Sequence, residues 1–166
     1  GRREYNPGEE ARLTGGIDLR LSRTSALSGD LSFLRYGTDT MEGIEQFNTG
    51  NRISVRLQYL QNDRGRTLRI VGRFRGQQKS TLPIRGGMDR ELRSLPSLAE
   101  VRGQYATQLS EEITVQASVA GRWYDDTSAF GSKTIVTLGF EPQFEIGEGV
   151  TVAPRAAYTA GSFTGV

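Results

Sequence analysis

The sequence predicts an all-β protein, an antiparallel up-and-down β-barrel with eight candidate strands. The first observation is a period of two in hydrophobicity, the period at which β-strand side chains change faces. It is clearest in a run of apolar residues at every second position: Val136, Leu138, Phe140, Pro142 and Phe144. The second is the length of most such segments, roughly 9–12 residues against roughly 5–6 for an average strand. The third is the regular alternation of short and long connections between them.

The first four candidate strands follow a polar segment at 1–10, which the pair Pro7-Gly8 marks as a tail or the end of a loop. Short polar stretches at 23–25 and 62–65 have the composition of turns. The second and third strands are joined instead by a long polar loop, 37–51. Apolar residues at every second position place the four strands at 11–22, 27–33, 52–59 and 68–74.

The last four candidate strands continue this alternation. Turns at 110–112 and 146–149 join them in pairs, whereas the loops 76–98 and 125–133 are long. In an up-and-down barrel all the short turns then lie at one end, and the long loops and both chain ends lie at the other. These strands are placed at 101–109, 113–123, 136–144 and 150–159, and the predicted barrel occupies 11–166.

The composition excludes most site chemistry. The chain has no cysteine and no histidine, so disulfides, thiolate nucleophiles, Ser-His pairs and histidine metal sites are ruled out. The sequence has no run of 18 apolar residues, so it predicts no transmembrane helix. Acidic groups in loops, such as Asp125-Asp126, lack the spacing of a calcium loop and are interpreted as solvated charge. We therefore predict no catalytic residue, no metal site and no cofactor, and we do not expect an enzyme.

Alternation alone does not decide whether the apolar face lies inside, as in a soluble barrel, or outside against lipid. Three features favour lipid. The polar face is rich in arginine and amides, and only Lys79 and Lys133 of the 21 basic residues are lysine. The apolar face carries glycines that would leave voids in a closed core, at Gly15, Gly29, Gly72, Gly103 and Gly121. Aromatic residues lie near strand ends, where interfacial girdles belong: Tyr59, Phe74, Trp123, Phe144 and Tyr158.

With an outward apolar face, short turns at one end and strands that match the roughly 9–11 residues needed to cross a bilayer, residues 11–160 resemble a bacterial outer-membrane β-barrel. The resemblance is one of architecture and points to no particular family. It implies a location in the bacterial outer membrane, with membrane lipid as the partner of the apolar face.

The chain ends predict that these strands are part of a larger barrel. Small eight-stranded barrels normally have both ends on the short-turn side, whereas here the first strand starts and the eighth strand ends on the long-loop side. Such barrels also typically close with an aromatic residue, and the last residue here is Val166, with Phe163 the nearest aromatic. We expect further strands, or further copies of the chain, to complete the barrel.

The strongest chemical signal is a row of arginines on the polar face. Arginine keeps its proton and presents a planar fork that matches carboxylates, phosphates and sulfates. The acids identified on the same face are few: Asp18, Asp30 and Glu141. The predicted lumen and anion-binding residues are Arg20, Arg52, Arg56, Arg69, Arg73, Arg102, Arg122 and Arg155. An internal ion-pair network filling a small, non-conducting barrel is the alternative interpretation of this row.

These features predict an outer-membrane channel or transport component whose arginine-rich lumen passes anionic solutes or an acidic polymer. One alternative is a structural or adhesive outer-membrane barrel that anchors a complex and displays the loops 37–51 and 76–98. A second alternative is a soluble, lipocalin-like ligand carrier. Nucleic acid is not an expected partner, because the arginines are spread singly along strands rather than clustered in one patch.

Overall fold

The computed structural model describes residues 4–82, 90–92, 97–127, 131–147 and 149–164. Every helix or strand within these ranges is a β-strand, and neighbouring strands pair in the antiparallel sense. The predicted all-β, antiparallel class is therefore confirmed. In chain order the strands are β1 (Tyr5–Asn6), β2 (Glu10–Arg20), β3 (Ser25–Tyr36), β4 (Thr38–Met41), β5 (Ile44–Asn48), β6 (Arg52–Asp63), β7 (Arg66–Gln77), β8 (Ser80–Leu82), β9 (Arg90–Leu92), β10 (Leu98–Gln108), β11 (Ile113–Thr127), β12 (Gly131–Glu145), β13 (Thr151–Val152) and β14 (Ala156–Thr164).

The long strands form one meander, in the order β2-β3-β6-β7-β10-β11-β12. Both β13 and β14 pair with the last of these, β12, and together they correspond to the eighth predicted strand. Between them lies Pro154, which has no N–H to give to a ladder hydrogen bond. Each of the eight alternating segments thus falls on a strand of this meander.

A second sheet of short strands, in the order β1-β4-β5-β8-β9, adjoins the long-loop end. Its order follows that of β2, β3, β6, β7 and β10, because each short strand continues a long one across a break of a few residues. The segment 37–51, expected to be a loop, therefore carries the hairpin β4–β5, and 76–98 carries β8 and β9. Backbone pairing needs no apolar side chains, so the polar composition of these segments did not distinguish a hairpin from a loop.

Parts of the predicted loops lie outside the described residues. These are 83–89 and 93–96 within 76–98, and 128–130 within 125–133. The described remainder of 125–133 belongs entirely to β11 and β12, which extend into it from both sides.

Glycine permits the close approach of backbones where the two sheets meet. Gly50 has a φ of +79°, in the left-handed region, and a Cβ there would lie 2.6 Å from the carbonyl oxygen of Gln78. Likewise, a Cβ on Gly8 would lie 2.5 Å from the carbonyl oxygen of Gly37. A side chain at either position would force the strands apart.

The long meander is not closed into a barrel in this structure. Among the described residues, β2 pairs only with β3 and β14 only with β12, so these two strands form the edges of the sheet. Their residues are exposed along the full length of both strands. β2 runs away from the long-loop end, since Glu10 pairs with Tyr36 near that end and Arg20 with Ala26 near the turn. β14 runs toward the long-loop end, and the two edges therefore have opposite directions.

The apolar face of the meander is exposed, whereas in a water-soluble protein the apolar face is the buried one. The apolar face carries side chains that stand in the open, including Leu57, Leu138 and Phe140. Among the described residues, the two buried apolar side chains are Leu34, 4% exposed, and Val71, 7% exposed. Both belong to the polar face, where Val71 pairs with Gln58 and Arg102 and Leu34 pairs with Arg52. The few buried apolar side chains of the sheet therefore lie on its polar face.

Candidate functional site

The polar face lines a concave space of about 780 Å³. Its lining residues come from five neighbouring strands, β2, β3, β6, β7 and β10, and include Thr14, Asp30, Arg56, Arg73 and Glu100. Because β2 and β10 are separated by three strands, one space can touch both only if the sheet curves with its polar face inward. We call this side of the meander the concave face.

A row of charged residues crosses the concave face at the level of the cavity. The strand register places Asp30 beside Arg56, Arg56 beside Arg73, Arg73 beside Glu100, and Glu100 beside Arg122. Cross-strand neighbours of this kind have Cβ atoms about 4.5–5.5 Å apart. The row therefore contains one pair of like charges, Arg56 and Arg73, directly opposite each other.

Glu100 is the acid of the concave face with the most arginine contacts. Its side chain is only 10% exposed, and its Oε1 lies 3.4 Å from both Arg102 Nη2 and Arg122 Nε. This residue is missing from the acids expected on this face, because the fifth strand was predicted to begin one residue later, at Val101. The signal was available, since Glu100 continues the even-numbered positions of Arg102 and Gln104.

Gln58 holds two further arginines with a neutral acceptor. Its Oε1 accepts hydrogen bonds from Arg56 Nη2 and from Arg69 Nη2, each at 3.0 Å. An amide oxygen fixes the guanidinium groups without cancelling their charge. Arg52 is held in the same manner, with its Nε and Nη2 donating to Gln77 Oε1 at 3.3 and 3.2 Å.

Three guanidinium groups on this face keep a donor without an acceptor. The Nε atoms of Arg56, Arg69 and Arg75 are buried and make no hydrogen bond in the structure. Arg75 is not among the predicted site residues, because the fourth strand was predicted to end at 74. It too continues the alternation, two positions after Arg73 on β7.

Two of the predicted arginines lie at the margins of the concave face rather than around the cavity. Arg20 lies at the turn end of β2, where its Nε donates to the carbonyl oxygen of Ser22 at 3.1 Å. Arg155 lies between β13 and β14 with its side chain 70% exposed, and its Nε is 4.0 Å from Glu141 Oε2. The strand register assigns Arg20, in the row of Arg69, to the concave face together with the other six: Arg52, Arg56, Arg69, Arg73, Arg102 and Arg122.

The predicted interfacial aromatics belong to the opposite, convex face. Phe74 and Trp123 share one cross-strand row, since both pair with Ala99. Tyr59 lies in a different row, nearer the short turns, and the register carries that row across to Tyr158. Phe144 is closer still to the turns, paired with Ile113 at the start of β11. These residues therefore occupy different heights along the strands.

The chemistry available to this arrangement is anion binding by charge-assisted hydrogen bonds. In the described part of the chain, which has neither histidine nor cysteine, acidic side chains form no group of three that could hold a metal ion. Nor do residues 4–82, 90–92, 97–127, 131–147 and 149–164 include a helix with the length and hydropathy to span a membrane.

Comparison with models of known protein families gave no match, and neither did comparison with curated proteins or with solved structures.

Proposed function

We propose that this chain is a channel or transport component of a bacterial outer membrane, in which the concave face borders an aqueous path for anionic solutes or an acidic polymer. One observation carries the proposal: large apolar side chains stand exposed on the convex face, while arginine, glutamine and buried Glu100 occupy the concave face. A protein surrounded by water on all sides would have the opposite arrangement.

The energetics of the convex face support lipid as its surroundings. Moving a side chain such as Leu57, Leu138 or Phe140 from water into an apolar medium stabilises it by about 1.5–3 kcal/mol. The strand length is also suitable. A strand such as β6, with 12 residues, is about 40 Å long, and a tilt of about 40° gives it a height of about 30 Å, close to the apolar band of about 25 Å in such barrels.

A membrane location would require the edge strands to find partners, since an unpaired backbone group in hydrocarbon costs several kcal/mol. β2 and β14 run in opposite directions, so their edges are suited to antiparallel pairing. The partner of each edge would be the other edge, further strands, or a second copy of the chain. All three solutions give a closed barrel whose lumen is the concave face.

Ion selectivity tests the channel. The intact protein, inserted into a planar bilayer under a salt gradient, should give an anion-selective reversal potential. Surplus positive charge raises the local concentration of anions, and the effect should fade at high salt as the Debye length falls from about 30 Å at 0.01 M to about 3 Å at 1 M. Replacing Arg56, Arg73 and Arg122 together by Gln should lower the selectivity.

The matched control removes the same charge from exposed positions outside the concave face, at Arg23, Arg64 and Arg66. This second triple Gln variant should keep the selectivity of the original protein. A cation-selective potential, or no conductance from protein that inserts correctly, would remove the anion channel.

A structural or adhesive barrel is the second candidate, and the short-stranded sheet favours it. A channel does not require a five-stranded sheet at its long-loop end. Such a sheet would present a defined surface to a partner. Insertion without conductance would favour this candidate. A soluble carrier is the third, and recovery of monomers in buffer without detergent would favour it.

A further inference from the structure

We propose that the concave face contains a discrete site for a tetrahedral oxyanion, a phosphate or sulfate group, formed by Arg56, Arg73 and Arg75. The site lies in the cavity of about 780 Å³, which all three residues line. It rests on the proposed channel, in which it would be the position where a permeating anion pauses.

The first argument is uncompensated charge. Arg56 and Arg73 are directly opposite each other in the register, and like charges in that position destabilise a sheet. Nearby acids do not relieve the repulsion. Glu100 is engaged by Arg102 and Arg122. Asp30 lies beside Arg56 in the register, but none of the ion pairs between described residues includes Asp30, Arg56, Arg73 or Arg75. An anion between the two strands would supply the missing negative charge.

The second argument is unused hydrogen-bonding capacity. The Nε atoms of Arg56 and Arg75 are buried without an acceptor. Arg56 commits only its Nη2, to Gln58, so most of its five donors remain unassigned. A buried donor without a partner costs free energy, and the oxygen atoms of an oxyanion are acceptors of the right kind.

The third argument is geometric and selects the class of anion. Arg73 and Arg75 are two residues apart on one strand, about 6.8 Å, and Arg56 lies across from Arg73 on the next strand. Three arginines whose strand positions form a triangle can offer three guanidinium forks to an anion with three or more oxygens. A carboxylate offers two, and chloride offers no fork geometry at all. Phosphate and sulfate groups fit best.

Arg73 is the centre of the site. It lines the large cavity and also a smaller space of about 140 Å³, which Arg69, Arg102 and Glu100 border. An anion that leaves the site toward the short-turn end therefore meets Arg69 and Arg102 next. Arg73 is consequently the residue whose substitution should change binding most.

Direct binding to the intact, detergent-refolded chain tests the site. Titration calorimetry with inorganic phosphate and with sulfate should show saturable binding at one site, whereas acetate and chloride at equal ionic strength should show none. Arg73→Gln should weaken phosphate binding at least tenfold. Arg73→Lys keeps the charge but loses the planar fork, and it should also weaken binding severalfold. The control Arg64→Lys, at an exposed position in the turn between β6 and β7, should leave the dissociation constant unchanged.

Three results would overturn the site: binding of acetate as tight as that of phosphate, non-saturable binding, or full affinity in Arg73→Lys. Circular dichroism of each variant establishes that the sheet has formed. Because calorimetry needs no membrane potential, the two proposals fail separately. A protein that binds phosphate without conducting retains the site and loses the channel, whereas one that conducts without binding phosphate retains the channel and loses the site.

Discussion

Two side chains, Glu100 and Gln58, determine where positive charge is left over on the concave face. Glu100 lies within 3.4 Å of nitrogens of both Arg102 and Arg122, and so it balances that side of the row. Gln58 fixes Arg56 and Arg69 but contributes no charge. The surplus is therefore concentrated on β6 and β7, where Arg56, Arg73 and Arg75 lie, rather than spread evenly along the face.

Outside the long meander, Asp39 ties the start of the chain to β4. Its Oδ2 accepts a hydrogen bond from Tyr5 Oη at 2.9 Å, and its Oδ1 accepts one from the backbone N–H of Gly8 at 2.7 Å. The hydrogen bond to Asp39, with lesser effects of burial and of the carboxylate's charge, raises the pKa of the Tyr5 phenol above 10.0. β1 and β4 are therefore held together by a group that can titrate.

The Tyr5 phenol should lose its proton at a pH above 10, and its pKa should depend on Asp39. The raised pKa means that the interaction stabilises the fold fully below pH 10 and is lost as pH rises through the higher, folded-state value. The difference in absorbance titration between the natural chain and Tyr5→Phe isolates Tyr5. In Asp39→Asn the pKa should fall toward 10. An unchanged pKa in that variant would show that Asp39 is not the cause.

Residues near strand ends were the hardest to predict. Alternation in the sequence correctly indicated that Arg56, Arg73 and Arg122 share one face. Glu100 and Arg75 lie one residue beyond the predicted ends of their strands and were missed for that reason. Register determines which residues pair across strands, and register cannot be read directly from the sequence. The opposition of Arg56 and Arg73 could therefore be found only in the structure.

At the scale of strands, hydrophobic alternation was enough to locate the whole long meander. It failed for β4, β5, β8 and β9, because strands with polar residues on both faces carry no period of two in hydrophobicity. Glycine was the overlooked signal for the change between sheets. Gly8, Gly37 and Gly50 mark places where backbones approach too closely for any side chain.

Arginine scanning of β12 tests which face of a strand meets lipid. Leu138 is on the convex face, and Leu138→Arg should destabilise the protein by about 2–4 kcal/mol if that position lies near the bilayer midplane. The neighbouring substitution Thr137→Arg lies on the concave face and should be mild. Urea titration of the protein refolded in lipid vesicles gives both free energies of unfolding. Greater damage from Thr137→Arg would mean that the faces are assigned the wrong way round.

At the scale of the whole molecule, a curved sheet is left with two unpaired edges and an exposed apolar convex side. Sequence patterning predicted the antiparallel meander and the separation of its faces. It did not determine closure, because an edge strand has the same alternation as a paired one and its partner is set by contacts distant in sequence. Lipid on the convex side and strand pairing at β2 and β14 would resolve both features together.

The central claim, that the convex face meets lipid, is tested most directly by the single tryptophan. Trp123 is 51% exposed on that face, and the chain has no other tryptophan. In the matched control, Trp123→Tyr combined with Tyr124→Trp moves the indole one residue, to the concave face.

The measurement is quenching of tryptophan fluorescence in vesicles made with brominated lipid, compared with quenching by aqueous iodide. We predict that brominated lipid quenches Trp123 strongly and iodide quenches it weakly, with the preference reversed in the exchanged variant. Trp123 that brominated lipid leaves unquenched and iodide quenches, in protein that has folded and bound to the vesicles, would contradict the account.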